Sequence, residues 1–206
     1  MDLHKRIFNK EIEGTNRVKN GGSIDFLTGS ALKIAGTQVT SSAAELNALD
    51  GILATVDELN RVADSSTRIV DTTATTLTVT AAAHGSKVVT ISSTAAIAVT
   101  LPAATGSGEV YTFVVAVDAT ATAHTIKVAD TTDAMTGVSV LATTATGEVT
   151  GFATTATDDT ITLNGTTKGG TKGDKITLID VATNLYQVSI IGRATGTVVT
   201  PFSASV

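Results

Sequence analysis

Cysteine and tryptophan are both missing from the 206 residues of this chain, and proline occurs only twice. Without cysteine no disulfide can staple the fold, and no thiolate can act as nucleophile or metal ligand. Aromatic residues make up only 3% of the sequence, so a core has to be assembled from Val, Ile, Leu, Ala and the methyls of Thr. Such a core buries less apolar area per residue, which makes association with further copies an expected second source of burial. Charged residues amount to 16%, below the ~25% of an average soluble domain, and much of the polar surface is therefore neutral hydroxyl. Acids outnumber Lys and Arg by 19 to 14, for a net charge of −5. That balance argues against a nucleic-acid partner, because phosphate binding rests on clustered Lys and Arg. No run of ~18 apolar residues is present to span a membrane. Met1-Asp2-Leu3-His4-Lys5-Arg6 mixes charges with no apolar stretch behind it, so no secretory leader is expected and the chain reads as a soluble protein made in a cytoplasm.

What the sequence does contain is a phrase spoken twice. Ser42-Ala-Ala-Glu45-Leu46-Asn47 is echoed by Thr55-Val-Asp-Glu58-Leu59-Asn60. Each copy is Ser/Thr-x-x-Glu, the capping box in which the hydroxyl accepts from the N3 amide while the Glu reaches back to the N-cap amide. Ser42 with Glu45, and Thr55 with Glu58, therefore predict two short helices within a tandem over residues 41–66. Leu46, Leu49, Ile52, Leu53, Val56, Leu59 and Val62 give this segment an apolar side. Isolated helices below ~12–15 residues are marginal in water, so these seven side chains are the expected partner interface.

Residues 1–40 are charged and irregular, and they read as an extended N-terminal arm docked on a neighbouring subunit. Within it, Ile24–Leu27 and Ala31–Ile34 are candidate extended segments. Residues 67–206 change texture to short Thr, Val and Ile runs punctuated by Gly, Asp and Asn. Strands are expected at Thr75–Thr80, Lys87–Ile91, Ile97–Leu101, Val110–Val117, His124–Val128, Val138–Leu141, Val149–Phe152, Thr160–Leu163, Lys175–Ile179, Leu185–Ile191 and Thr197–Phe202. Turns recur every ten or so residues, as in an antiparallel β-sandwich or jelly roll. Val110–Val117 is almost continuously apolar and reads as a central strand covered on both faces. The pair Lys175–Asp180 and Leu185–Ile191 reads as a hairpin. Uncharged strand edges invite further pairing, so the edges of this domain are expected to be covered by another subunit.

Motifs that carry chemistry are sparse. His4, His84 and His124 have no second ligand at metal-binding spacing. Asp130-Thr-Thr-Asp133 and Asp158-Asp159 are paired acids without the Gly and distal Glu of a calcium loop. In Gly165-Thr-Thr-Lys168-Gly169-Gly170-Thr171-Lys172-Gly173, Thr171 stands where a phosphate-loop lysine would be required, and the segment reads as a flexible basic hairpin tip. No catalytic residue, metal site or cofactor is nominated, and a non-enzymatic role is expected.

Val39-Thr-Ser-Ser-Ala-Ala-Glu-Leu-Asn-Ala-Leu-Asp-Gly51 resembles the T-A-x-x-A-E-L-N-x-L-D-G repeat of tailed-bacteriophage virion proteins, including tail fibres and capsid-decorating proteins. The second copy departs from it, with Arg61-Val-Ala-Asp64 in place of the Leu-Asp-Gly ending. Val99–Val115 and Gly173–Asn184 are similar to β domains of phage structural proteins. The resemblance implies a virion structural protein. Its first form is a capsid decoration, or cement, protein on the outer surface of the capsid, a homotrimer with the major capsid protein as partner. Its second form is a tail fibre, spike or neck protein with a host-binding β domain. It brings no catalytic residues.

Overall fold

The computed structural model describes residues 32–48, 50, 52, 54–63, 68–120 and 123–205, the side chains of 48, 57 and 61–63 excepted. The expected arm therefore lies, up to residue 31, outside the described residues, as does the Ile24–Leu27 segment. The chain divides into two compact units, Met1–Ala54 and Thr55–Val206. No described helix is long and apolar enough to cross a membrane.

In the first unit, strands β1 (Lys33–Ile34) and β2 (Thr37–Gln38) form a small antiparallel hairpin, with Lys33 opposite Gln38. Ala35 and Gly36 both take positive φ, 48° and 83°. That combination makes the primed two-residue turn whose twist matches its strands. Helix α1 (Ala43–Ala48) follows.

The second unit begins with helix α2 (Val56–Ala63) and continues as β structure. Strands β3 (Ile69–Thr72), β5 (Val88–Ile91) and β7 (Val110–Val115) lie side by side and parallel in one sheet. Strands β4 (Thr76–Thr78), β6 (Ala98–Thr100) and β8 (His124–Lys127) do the same in a second sheet. The chain crosses to the other sheet after each of these six strands, so this region winds as three coils of a two-sheet parallel solenoid. The short helix α3 (Ala81–His84), whose N-cap Thr80 accepts from the Ala83 amide, makes one of the crossings.

The rest of the chain closes this winding with mostly antiparallel strands. β11 (Thr160–Leu163) pairs antiparallel with β8, and β14 (Phe202–Ser203) with β11. β12 (Lys175–Ala182) runs antiparallel to β7, and β13 (Leu185–Ala194) returns beside β12. β9 (Ala134–Thr143) lies parallel to β13, and β10 (Val149–Ala153) folds back antiparallel on β9. The sheets have the orders β10-β9-β13-β12-β7-β5-β3 and β14-β11-β8-β6-β4.

The mainly β class is as expected, but the antiparallel sandwich or jelly roll is corrected, because both sheets are mixed. The physical reason lies in the connections. Hairpin turns reverse direction, whereas a chain that leaves for the other sheet and comes back re-enters running the same way. Strand spacing in the sequence does not distinguish the two.

One hydrophobic cluster joins the inner faces of both sheets. In the larger sheet the ladders align Val89, Phe113, Ile176, Ile190, Ser139 and Phe152 in one inward row. The smaller sheet contributes Val99, Ile126, Ile161, Leu163 and Phe202. Tyr111 and Tyr186 meet edge to face with centroids 6.4 Å apart, a favoured quadrupole geometry, and the Tyr186 hydroxyl donates to the Pro102 carbonyl at 2.8 Å. β7 is an interior strand, as its apolar run suggested. Its residues alternate between buried and half-buried, however, so only one face is fully covered. The β12–β13 hairpin is present, closed by Asn184 at φ 63°.

Candidate interaction surfaces

Both capping boxes form. The Glu45 carboxylate accepts from the Ser42 amide at 2.7 Å and from its hydroxyl at 2.8 Å, while the Ser42 hydroxyl accepts from the Glu45 amide at 3.2 Å. Thr55 and Glu58 repeat the arrangement at 2.7, 2.8 and 3.3 Å. The amide and hydroxyl of Ser42 stabilise the ionised form of Glu45 and lower its pKa. These reciprocal bonds satisfy amides that a helix of six or eight residues would otherwise leave open.

Capping this complete leaves the apolar side chains as the unsolved part of each helix. In the first unit Leu46 is 47% and Ile52 42% exposed; in the second, Val56 is 71% and Leu59 37% exposed. Val56 and Leu59, three residues apart, share one side of α2. Leu49 and Leu53 lie outside the described residues, as does the side chain of Val62. The unit boundary falls between the two helices, so each presents its own apolar residues.

The acids serve as clamps on loops. Asp180, buried on β12, accepts from the amides of Thr105, Gly106 and Ser107 and from the hydroxyls of Thr105 and Ser107. Burial alone would raise its pKa. The Ser107 hydroxyl and the three amides outweigh that and hold the carboxyl at about 2. Asp174 gathers the Gly170, Thr171 and Arg193 amides and the Thr171 hydroxyl, yet its burial keeps its pKa raised.

Asn164 accepts from the amides of Thr166, Thr167 and Lys168. In the Gly165–Gly173 segment Thr166, Lys172 and Gly173 are exposed while Gly169, Gly170 and Thr171 are buried, and the loop read as a flexible tip is pinned at both ends by Asn164 and Asp174. Asp130 closes a local turn on the Thr132 amide and hydroxyl. Asp133 accepts from the Ala104 amide at 3.1 Å, and its pKa is raised first by burial and then by Asp130 and Asp180 nearby. Asp158 and Asp159 accept from the amides of Thr155 and Ser205.

The described histidines are structural in the same sense. The Nδ1 atoms of His84 and His124 accept from the Thr80 and Ile97 amides, each at 3.1 Å. Burial lowers the pKa of His124 and favours the neutral ring, whose Nδ1 is the acceptor for the Ile97 amide. Among the described residues no group of three or more His, Asp or Glu is placed to hold a metal ion.

Two further surfaces carry no signal in the helical tandem. A groove of about 510 Å³ runs between the β9–β10 turn and residues 195–198, lined by Phe152, Val198, Glu148 and several threonines. Of the five described aromatics, Phe152 alone is not buried. On the outer face of the larger sheet, Val138, Val140, Val149 and Ile191 are 50%, 39%, 64% and 65% exposed. The alternation of β9 and β10 was the available clue to this face, since neither strand contains a charged residue. No family model, curated protein or solved structure matches this chain.

Proposed function

We propose that the chain is a non-enzymatic virion structural protein, a capsid decoration protein that binds neighbouring copies of the major capsid protein on the outer surface of a phage head and stabilises it. The observation that carries this reading is the pair of capped helices with exposed apolar side chains, set in a sequence phrase that resembles those of phage virion proteins. Whatever binds only the assembled shell stabilises it by mass action, and repetition around the shell amplifies a weak contact through avidity. Self-association as a homotrimer belongs to the same reading, as do the absence of a nucleic-acid or membrane partner and synthesis in the host cytoplasm. The clamping roles of Asp180, Asp174 and Asp133 support a non-catalytic protein, because each carboxylate is spent on backbone amides.

A second reading, a tail fibre, spike or neck protein with a host-binding β domain, draws on the groove beside Phe152. There an aromatic ring and threonine hydroxyls are set together as neutral sugars require.

The test is incorporation into particles. Leu46→Asp and Leu59→Asp are expected to leave the β domain folded, with a melting temperature within a few degrees of wild type. Each is expected to lower the amount of protein carried on purified particles by roughly tenfold or more, since a charge buried in an apolar contact costs several kcal/mol. Incorporation of both variants at the wild-type level would remove the helices from the interface.

A further inference from the structure

The edges of the two sheets are unequal. Natural edges are blunted by charge, proline or brevity, and three of the four here follow that pattern. β3 carries Asp71, β4 is three residues long, and β14 is two residues long directly after Pro201. β10 has none of these devices: Val149-Thr-Gly-Phe-Ala153 contains neither charge nor proline, and it is the last strand of its sheet among the described residues.

The hydrogen-bond phase of β10 is fixed by its flanks. The Thr143 amide donates to the Glu148 carbonyl, and the Thr154 amide to the Gly137 carbonyl. Even-numbered residues therefore bond inward to β9, and Val149, Gly151 and Ala153 turn their N–H and C=O groups outward. The side chains of Val149 and Ala153 lie on the exposed outer face, where Gly151 between them is exposed as well.

We propose that a second copy of this chain pairs antiparallel with the open edge of β10, about a twofold axis through Gly151. In that register Gly151 meets Gly151 of the second copy as a hydrogen-bonded pair, and Val149 meets Ala153 on either side. All three outward-facing residues of each strand are then satisfied. Glu148 falls opposite Thr154 of the second copy, so no like charges meet. The outer rows become continuous: Val138 and Ala153 of one copy run into Val149 and Ala142 of the other. The exposed Val138, Val140 and Val149 thereby gain apolar neighbours across the joint. Such an isologous contact closes with two copies. It does not rest on the virion reading, and it is compatible with a threefold contact elsewhere on the chain.

The absence of native cysteine makes the test direct. A Cβ at Gly151 meets nothing nearer than the Ser139 carbonyl oxygen at 3.9 Å, so Gly151→Cys is accommodated by the fold. In the proposed register the two Cα atoms at this position are about 5.5 Å apart, within disulfide range. Two copies of residue 149 are separated by about 13 Å, beyond it. Under mild oxidation of the full-length protein, Gly151→Cys is expected to form covalent dimers roughly tenfold or more faster than Val149→Cys. A mixture of Val149→Cys with Ala153→Cys should yield the mixed dimer. Gly151→Lys should halve the wild-type mass in light scattering with its circular dichroism unchanged. Equal cross-linking rates for Gly151→Cys and Val149→Cys, or an unchanged mass for Gly151→Lys, overturns the pairing.

Discussion

Replacing Asp180 by Asn is expected to lower stability by roughly 3 kcal/mol at neutral pH, which for a chain of this size is about 10 °C in melting temperature. The substitution keeps the shape but turns an NH₂ group toward donors. The Thr105, Gly106 and Ser107 amides and two hydroxyls all converge on the two carboxylate oxygens, and an amide can accept at only one end. The loss should be pH-dependent with a definite sign. The unfolded carboxyl titrates at 3.8 and the folded one at about 2, so the unfolded state binds the extra proton between those values. Asp180 therefore contributes fully above pH 3.8, and its contribution, roughly 2 kcal/mol from this shift, is lost as pH falls through the folded value. Urea titrations of the two proteins at several pH values check this: the gap between them should be widest at neutral pH and narrow toward pH 2. Asp174 titrates in both proteins, whereas Asp133 loses in the variant the part of its upward shift that Asp180 supplies.

Gly137→Ala should be more damaging still, at about 4 kcal/mol or more. Gly137 sits in β9 directly opposite Val188 of β13 with φ at 153°. An added Cβ would stand 1.8 Å from the Val188 carbonyl oxygen. That oxygen belongs to the backbone of an interior strand and has nowhere to move, so β9 must separate from β13 and take β10 with it. Denaturant unfolding is expected to show a lower midpoint, and proteolysis should show early cleavage within residues 134–153. A wild-type midpoint would mean that β9 does not approach β13 as described.

What was legible in the sequence was whatever is local. The Ser42–Glu45 and Thr55–Glu58 boxes span three residues each and form as written, and the β12–β13 hairpin announces itself through two apolar runs and a polar turn. Short Thr, Val and Ile runs between turn residues also placed β5, β6, β7, β8, β10 and β11 to within a few residues. β9 was foreseen only over Val138–Leu141, because Thr136 and Gly137 break the pattern. The value of a glycine at 137 is set by Val188, far along the chain. β3 was missed because Asp71 and Thr72 interrupt a short run, and its place comes from pairing with β5.

Parallel direction was invisible for the reason already given: it depends on which sheet the chain visits in between. The Asp180 clamp joins residues 73 to 75 positions apart, and no spacing rule reaches that far. Lysines and glycines at 165–173 suggested a flexible tip, whereas Asp174 and Asn164 pin the segment by its backbone amides. The apolar residues of the tandem could be named, but the second surface proposed to cover them is not written in this sequence.

That second surface is the centre of the account, and localisation tests it most directly. Intact particles labelled with a gold-conjugated antibody against residues 68–205 should carry label spread over the head, and removal of the protein should lower the temperature at which the head opens. Label confined to the tail or its tip would contradict the decoration role and transfer the search to the groove at Phe152.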